Sequence, residues 1–222
     1  MNLAIFLKAP QPGRVKTRLA SRLGDQTACD LYTALLHDTV TVAMQSRAEH
    51  VVFVVDGPPI AGYLSRNVVD TSSPRISSWP QVTGNLGDRL AAAAAQAEAA
   101  GRMPLVFLGS DSPDLPVDYV DQALRRIRDH DVVLGPAEDG GAWCIGLRRA
   151  AGSLFEHIAW SSEHTEAELR NRARDLGLNV GSLPAWYDVD ETSDLDSLVE
   201  RLRTNPSRAP YTRAWLQEHW NT

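Results

Sequence analysis

Apolar residues along this chain fall into short unbroken runs, separated by longer segments in which they recur every three or four positions. Residues 3–7, 50–55, 105–108 and 131–134 are runs of the first kind, and 142–147 mixes Trp143, Cys144 and Ile145 into a fifth. Unbroken runs of this length suit strands buried on both faces of a parallel sheet. Between them the pattern predicts helices over 26–47, 86–100, 117–128, 163–176 and 193–203. The second is alanine-rich, which favours helix by propensity. Gly177 follows the fourth as a C-terminal stop, and residues 192–194 offer capping side chains to the fifth. This alternation predicts right-handed crossovers and an α/β class protein, a three-layer α/β/α sandwich around a mostly parallel sheet. No linker or repeat divides the chain. Residues 1–222 are therefore expected to form a single domain, with a C-terminal tail from about residue 204 whose Trp215 and Trp220 dock on the body.

Composition narrows the class further. A chain of 222 residues suits one domain, which typically takes about 100–200. It carries 22 Lys and Arg against 28 Asp and Glu, a formal charge of −6. An acidic chain lacks the broad basic face that nucleic-acid phosphates demand, so no nucleic-acid partner is expected. Cys29 and Cys144 lie far apart without C-x-x-C spacing, and the histidines show no H-x-x-x-H or H-E-x-x-H. Disulfide scaffolds and zinc sites are thus excluded. No apolar run approaches the ~20 residues of a membrane span, and the first residues carry no basic leader. A cytoplasmic protein without a membrane span is expected.

Open α/β sheets bind ligands beyond the carboxyl ends of their strands, and polar clusters follow the predicted strands here. After the first comes Lys8-Ala-Pro-Gln-Pro-Gly13-Arg14-Val-Lys16-Thr17-Arg18. Four cations and a glycine ahead of helical sequence suit a di- or triphosphate, although the spacing is neither G-x-x-x-x-G-K-[ST] nor G-x-G-x-x-G. A solvated basic loop is the plainer alternative. Gly109-Ser110-Asp111-Ser112-Pro113-Asp114 follows the third run, placing Asp111 beyond the strand end as a ligand for Mg²⁺ (or Mn²⁺). Asp114 reads as a turn residue. Glu138-Asp139-Gly140-Gly141 is either a tight turn or a backbone-lined substrate pocket. In Tyr187-Asp188-Val189-Asp190 only one of the two acids faces a given side, so Asp188 or Asp190 supplies a second carboxylate to the ion held by Asp111. Asp194 reads as a helix cap. Gly84-Asn85-Leu86-Gly87-Asp88-Arg89 opens the alanine-rich helix, with Gly87 and Asp88 as candidate nucleotide contacts.

These motifs occur in the order Lys-Ala-Pro…Pro-Gly-Arg-x-Lys-Thr-Arg-Leu, Gly-Ser-Asp-Ser-Pro-Asp-Leu-Pro, Gly-Pro-Ala-Glu-Asp-Gly-Gly, Ile158-Ala-Trp160-Ser161 and Asp188-Val-Asp190. In combination they resemble a bacterial family of uncharacterised transferases with the GT-A (nucleotide-diphospho-sugar transferase) fold. That family is in turn similar to 2-phospholactate guanylyltransferase and the molybdenum-cofactor nucleotidyltransferases. The resemblance runs from Met1 to about Leu202. It implies an enzyme that takes a nucleotide donor and a small-molecule acceptor through a divalent cation. Catalysis then falls to Lys16 and Asp111, phosphate binding to Lys8, Gly13, Arg14, Lys16 and Arg18, and metal binding to Asp111, Asp188 and Asp190.

Two reactions fit such a site. Nucleotidyl transfer releases pyrophosphate and needs the cationic first loop. Glycosyl transfer from a nucleoside-diphosphate sugar often shows Asp-x-Asp after a strand, whereas Asp111-Ser112-Pro113 has a single aspartate. Nucleotidyl transfer is favoured. A nucleotide-binding regulator without turnover is the third reading, and a homodimer is admitted by the sequence.

Overall fold

The computed structural model describes residues 1–64 and 68–220. Seven strands, β1 (Asn2–Lys8), β2 (His50–Asp56), β3 (Ile76–Pro80), β4 (Leu105–Leu108), β5 (Val132–Pro136), β6 (Ala142–Leu147) and β7 (Val180–Ser182), form one sheet. Its order is β3-β2-β1-β4-β6-β5-β7. Neighbours pair in parallel except β6, which runs antiparallel to both β4 and β5. Among the described residues seven α-helices accompany them: α1 (Thr17–Leu23), α2 (Asp25–Gln45), α3 (Leu86–Ala99), α4 (Val117–Arg126), α5 (Thr165–Asp175), α6 (Thr192–Thr204) and α7 (Pro210–His219).

The unbroken apolar runs are explained by burial on both faces of the sheet. Leu3, Ile5 and Leu7 of β1 enter one core with Leu36, Val40 and Ala43 of α2 and Val120, Ala123 and Leu124 of α4. Ala4 points the other way, into a core with Leu90, Ala93, Ala94 and Ala97 of α3 and Leu169 and Ala173 of α5. The alanine face of α3 lets that helix approach the sheet closely. Truncating a fully buried side chain such as Leu36 to Ala would cost about 2–5 kcal/mol. The three expected layers are present. A further group of helices lies outside them, where α6 and α7 pack against the outer face of α2 through Leu31, Leu35, Leu195, Leu198, Leu202 and Trp215.

Sequence patterning predicts five of the seven strands. The edge strand β3 reads Ile-Ser-Ser-Trp-Pro with no fully buried position, and β7 is three residues long, so neither carries an apolar run. The C-terminal tail is a helix. Pro210 opens α7, and the buried Asp38 of α2 accepts hydrogen bonds from the amides of Tyr211 (3.1 Å) and Thr212 (2.7 Å). Trp215 is buried, and Trp220 donates from its indole nitrogen to Asp196 at 3.1 Å, so both tryptophans dock as expected.

The reversed strand determines what reaches the carboxyl edge. Because β5 and β6 form a hairpin, their connecting turn over 137–141 sits at the same edge as the ends of β1 and β4. From β7 the chain then runs back across that edge as an extended strap. Leu183 donates to the Leu134 carbonyl (2.9 Å), Trp186 to Pro136 (3.0 Å) and Val189 to Asp111 (3.0 Å), each through its amide.

Candidate active site

At the carboxyl edge, the loop after β1 turns into α1 through Lys16, whose backbone is left-handed (φ 47°, ψ 44°). A non-glycine residue in that region costs about 1–2 kcal/mol and persists only where its surroundings hold it. Here the side chain supplies the reason. The Lys16 Nζ lies 3.0 Å from Asp111 Oδ2 and 2.7 Å from Asp190 Oδ1, and the lysine side chain is only 4% exposed. One carboxylate comes from the end of β4 and the other from the strap. Asp111 is brought level with Asp190 by the Val189 amide bonded to its own carbonyl.

The strap is braced from below. Ser112 Oγ donates to the Tyr187 carbonyl (2.8 Å), and the Tyr187 hydroxyl donates to buried Asp114. The Arg201 guanidinium lies 3.2 Å from the Tyr187 ring centroid. Trp143 of β6 donates to the Pro184 carbonyl at 3.1 Å. Asp194 caps α6 as expected and also steadies the strap, accepting from the amides of Asp190 (2.9 Å) and Glu191 (2.6 Å). On the other side, the buried Tyr32 hydroxyl accepts from the Lys8 amide (3.0 Å), donates to the Lys8 carbonyl (3.1 Å) and meets Ser110 Oγ at 2.9 Å. That single hydroxyl ties the end of β1 to the end of β4.

The electrostatics follow from this packing. Burial alone would lower the Lys16 pKa, but the Asp111 and Asp190 carboxylates override it and hold the ammonium above its ordinary value. Asp190 shows the reverse: burial opposes its ionisation, while Lys16 and, more distantly, Arg18 and Lys8 hold it below the usual carboxylate range. At Asp188 the Lys16 charge is outweighed. Burial first, then the charges of Asp190, Asp139 and Asp111, push it up to about 6.

A cavity of about 540 Å³ opens over this ion pair. Of the residues proposed from sequence, Lys8, Arg14, Lys16, Arg18, Asp111 and Asp190 line it. Gly13 sits in the loop at positive φ (75°) and shapes the turn without lining the cavity. Gly87 and Asp88 face elsewhere. They border a second cavity of about 440 Å³, because on α3 it is positions 86, 89 and 90 that turn into the first. A Cβ on Gly87 would lie 2.6 Å from Trp160 Nε1, and Asp88 is engaged in a reciprocal cap with Asn85. Residues 138–141 do not line the larger cavity. Asp139 accepts from the Gly141 amide (2.8 Å) within its own turn. Asp188 lies beside the cluster and electrostatically coupled to it. Sequence reasoning missed Tyr32, which reads as an ordinary core aromatic, and Gln81; of the 84–89 motif it proposed for a nucleotide pocket, Leu86 and Arg89 line the cavity rather than Gly87 and Asp88.

Among the described residues, no group of three or more His, Cys, Asp or Glu side chains is arranged to hold a metal. Asp111 and Asp190 nevertheless direct oxygens at one shared cation. An all-oxygen pair of this kind fits Mg²⁺ or Mn²⁺, which take one or two carboxylates and fill the other positions with water and phosphate oxygens.

The fold places the protein among the nucleotide-diphospho-sugar transferase type of α/β proteins, with its cation–carboxylate cluster on the carboxyl edge of the sheet. A crystal structure from Desulfovibrio desulfuricans G20, provisionally named as such a transferase, superposes with a TM-score of 0.83 at 29% identity, covering 98% of this chain and 94% of that one. The chain belongs to the family described as "Uncharacterized protein conserved in bacteria (DUF2064)", which it matches over residues 39–162. It is also similar to two enzymes named for guanylyl transfer. Phosphoenolpyruvate guanylyltransferase of Rhodococcus erythropolis (strain PR4 / NBRC 100887) is 33% identical, over 86% of this chain and 87% of that protein. 3-Phospho-D-glycerate guanylyltransferase of Phenylobacterium zucineum (strain HLK1) is 30% identical, over 81% of each.

Proposed function

We propose that this enzyme is a nucleotidyltransferase that moves a guanylyl group from GTP to a small phosphorylated carboxylic acid, with Mg²⁺ (or Mn²⁺) bound by Asp111 and Asp190 and assisted by Asp188. The observation that carries this reading is the Lys16 ammonium held between Asp111 and Asp190 on the floor of a cavity also lined by Lys8, Arg14 and Arg18. Such a site offers cations to phosphates and carboxylates to a metal within one cavity. The relatives' names supply the base and the acceptor class, since phosphoenolpyruvate and 3-phospho-D-glycerate are both small phosphorylated acids.

In this reaction an acceptor phosphate oxygen forms a bond to the α-phosphorus in line with the bond that breaks, and the pair of electrons departs with pyrophosphate. The bound ion would neutralise charge on the phosphates. Lys16, Arg14 and Arg18 stabilise the leaving pyrophosphate, where negative charge accumulates in the transition state. Lys8, at the end of β1, attracts the anionic acceptor.

The test is a thermal-shift panel of the four nucleoside triphosphates and common nucleotide sugars, with and without Mg²⁺, followed by product analysis. A Mg²⁺-dependent shift with GTP, and pyrophosphate released in the presence of a phosphorylated acid, is the expected result. A ligand at 100 times its Kd stabilises by about 2.7 kcal/mol, which is several degrees for a chain of this size. A shift confined to a nucleotide sugar, with a nucleoside diphosphate as product, would favour glycosyl transfer instead. No shift with any nucleotide would remove the reading.

A further inference from the structure

The cavity has a second end whose chemistry differs from that of the ion pair. Two strands away from Asp111, the ends of β2 and β3 and the first turn of α3 converge on Arg89. Its Nε donates to the Gly84 carbonyl (3.0 Å), and its Nη1 donates to Asp56 Oδ2 (3.1 Å) and Gln81 Oε1 (3.0 Å). Gln81 is itself anchored, its Nε2 donating to the carbonyls of Leu7 (3.1 Å) and Val54 (2.9 Å) on β1 and β2. The guanidinium is thus fixed in plane, while Nη2 keeps both N–H donors without a partner among the described residues.

Beside it the surface is apolar where a solvated surface would not be. Leu86 (42% exposed) is one of three large hydrophobic side chains that stand out into solvent among the described residues. Leu86, Leu90, Phe6 and Phe107 line the same cavity as Arg89. An apolar wall next to a fixed, partly unsatisfied guanidinium is suited to an aromatic ring that carries hydrogen-bond acceptors on one edge. The spacing agrees with this. Adjacent strands lie about 4.8 Å apart, so a group at the ends of β2 and β3 is about 10 Å from one between β1 and β4. That separation is comparable to the span from a nucleobase to its α-phosphate.

We propose that Arg89, held by Asp56, Gln81 and the Gly84 carbonyl, is the specificity-determining residue of this cavity and donates through Nη2 to O6 and N7 of a guanine base lying against Leu86 and Leu90. The inference rests on the nucleotidyl reading above and adds how the base is chosen. An arginine has donors only. Guanine presents two adjacent acceptors on that edge, whereas adenine puts an amino group where O6 would be and leaves a donor facing a donor.

The experiment compares affinities within each protein for GTP, ATP and 7-deaza-GTP, which lacks the N7 acceptor, by titration calorimetry with Mg²⁺ present. Wild type is expected to prefer GTP over each of the other two by about tenfold or more. In Arg89→Met the two ratios should fall towards one, whereas an arginine that merely supports the loop would weaken all three ligands in parallel. Arg89→Lys, which keeps a cationic donor but loses the planar anchoring by Asp56, Gln81 and the Gly84 carbonyl, should retain part of the preference and serves if the methionine variant does not fold. GTP binding with no preference over 7-deaza-GTP and ATP in wild type would overturn the inference, as would a preference that survives in Arg89→Met. Absence of any nucleotide binding by wild type would instead overturn the nucleotidyl reading, and this assignment with it.

Discussion

Replacing Lys16 by methionine tests both roles given to this residue, because it removes the ammonium while keeping the length of the side chain. In the folded chain the two carboxylates within 3.0 Å of Nζ would lose their shared counter-cation. Breaking a fully buried ion pair from one side costs about 3–5 kcal/mol. Asp111 and Asp190 retain 31% and 44% exposure, so water recovers part of that and about 1–3 kcal/mol is the better expectation. For a chain of this length the loss corresponds to a fall in Tm of about 3–10 °C. Mg²⁺ should then do what the lysine did. In differential scanning calorimetry at low ionic strength, added Mg²⁺ should raise the Tm of Lys16→Met more than that of wild type, where the ammonium already occupies the place between the carboxylates. GTP affinity should fall by about 10–150-fold, the equivalent of one charge-assisted contact of about 1.5–3 kcal/mol. A variant as stable as wild type, with the same response to Mg²⁺ and the same affinity for GTP, would refute the reasoning at each step. Lys16→Gly provides an internal control: it loses the same charge but relieves the left-handed backbone, so it should be about 1 kcal/mol more stable than Lys16→Ala.

Other expectations follow from the same geometry. Asp111→Asn should abolish Mg²⁺-dependent turnover with a near-native circular dichroism spectrum, and full activity would remove Asp111 from the metal site. Gly140→Ala should destabilise by about 2–4 kcal/mol in urea unfolding, because φ is +85° and a Cβ would lie 2.0 Å from the Glu163 carbonyl oxygen; an unchanged midpoint would mean that the 160s loop yields freely. Asp38, beneath the start of α7, is pushed up to about 6 chiefly by burial, against hydrogen bonds from Thr212 and Tyr211. Its unfolded value is about 3.9, so the folded chain binds this proton more tightly. Its ionisation therefore costs stability as pH rises through 6, and that stability is regained as pH falls towards 4. The Tm of wild type relative to Asp38→Asn should accordingly rise as pH is lowered from 7 to 5, and a constant difference would show that the Asp38 carboxyl titrates alike in both states.

How much of this was legible in the sequence depends on how each feature is encoded. Strands β1, β2, β4, β5 and β6 are buried on both faces and announce themselves as apolar runs. β3 lies at the sheet edge and β7 has only three residues, so the burial that would mark them is missing. The cationic loop at 8–18 and Asp111 could be picked out because charge following a predicted strand has few structural explanations. The partner of Lys16 could not be fixed in the same way. Asp188 and Asp190 are both acids in an extended segment, and the choice between them is made by a backbone hydrogen bond from Val189 to Asp111, which leaves no trace in side-chain identity.

The strap illustrates why the site is assembled as it is. Lys16 and Asp190 are 174 residues apart, and their contact depends on β7 lying beyond β5, so that the chain must cross the carboxyl edge to reach α6. Along that crossing, residues 183–189 are held by the backbone of β5, the 137–141 turn and Asp111. The turn is present at that edge only because β6 is reversed. With a parallel β6, a crossover of a dozen or more residues would replace the hairpin turn, and the strap would lose the bond that the Glu138 amide donates to the Trp186 carbonyl. The Ala137-to-Gly141 turn, which does not line the cavity, thus acts on the candidate site through position: it supports the segment that presents Asp188 and Asp190. Substitutions in the turn should therefore alter the Lys16–Asp190 contact and metal affinity before they alter nucleotide affinity, whereas substitutions at Arg14 or Arg18 should do the reverse.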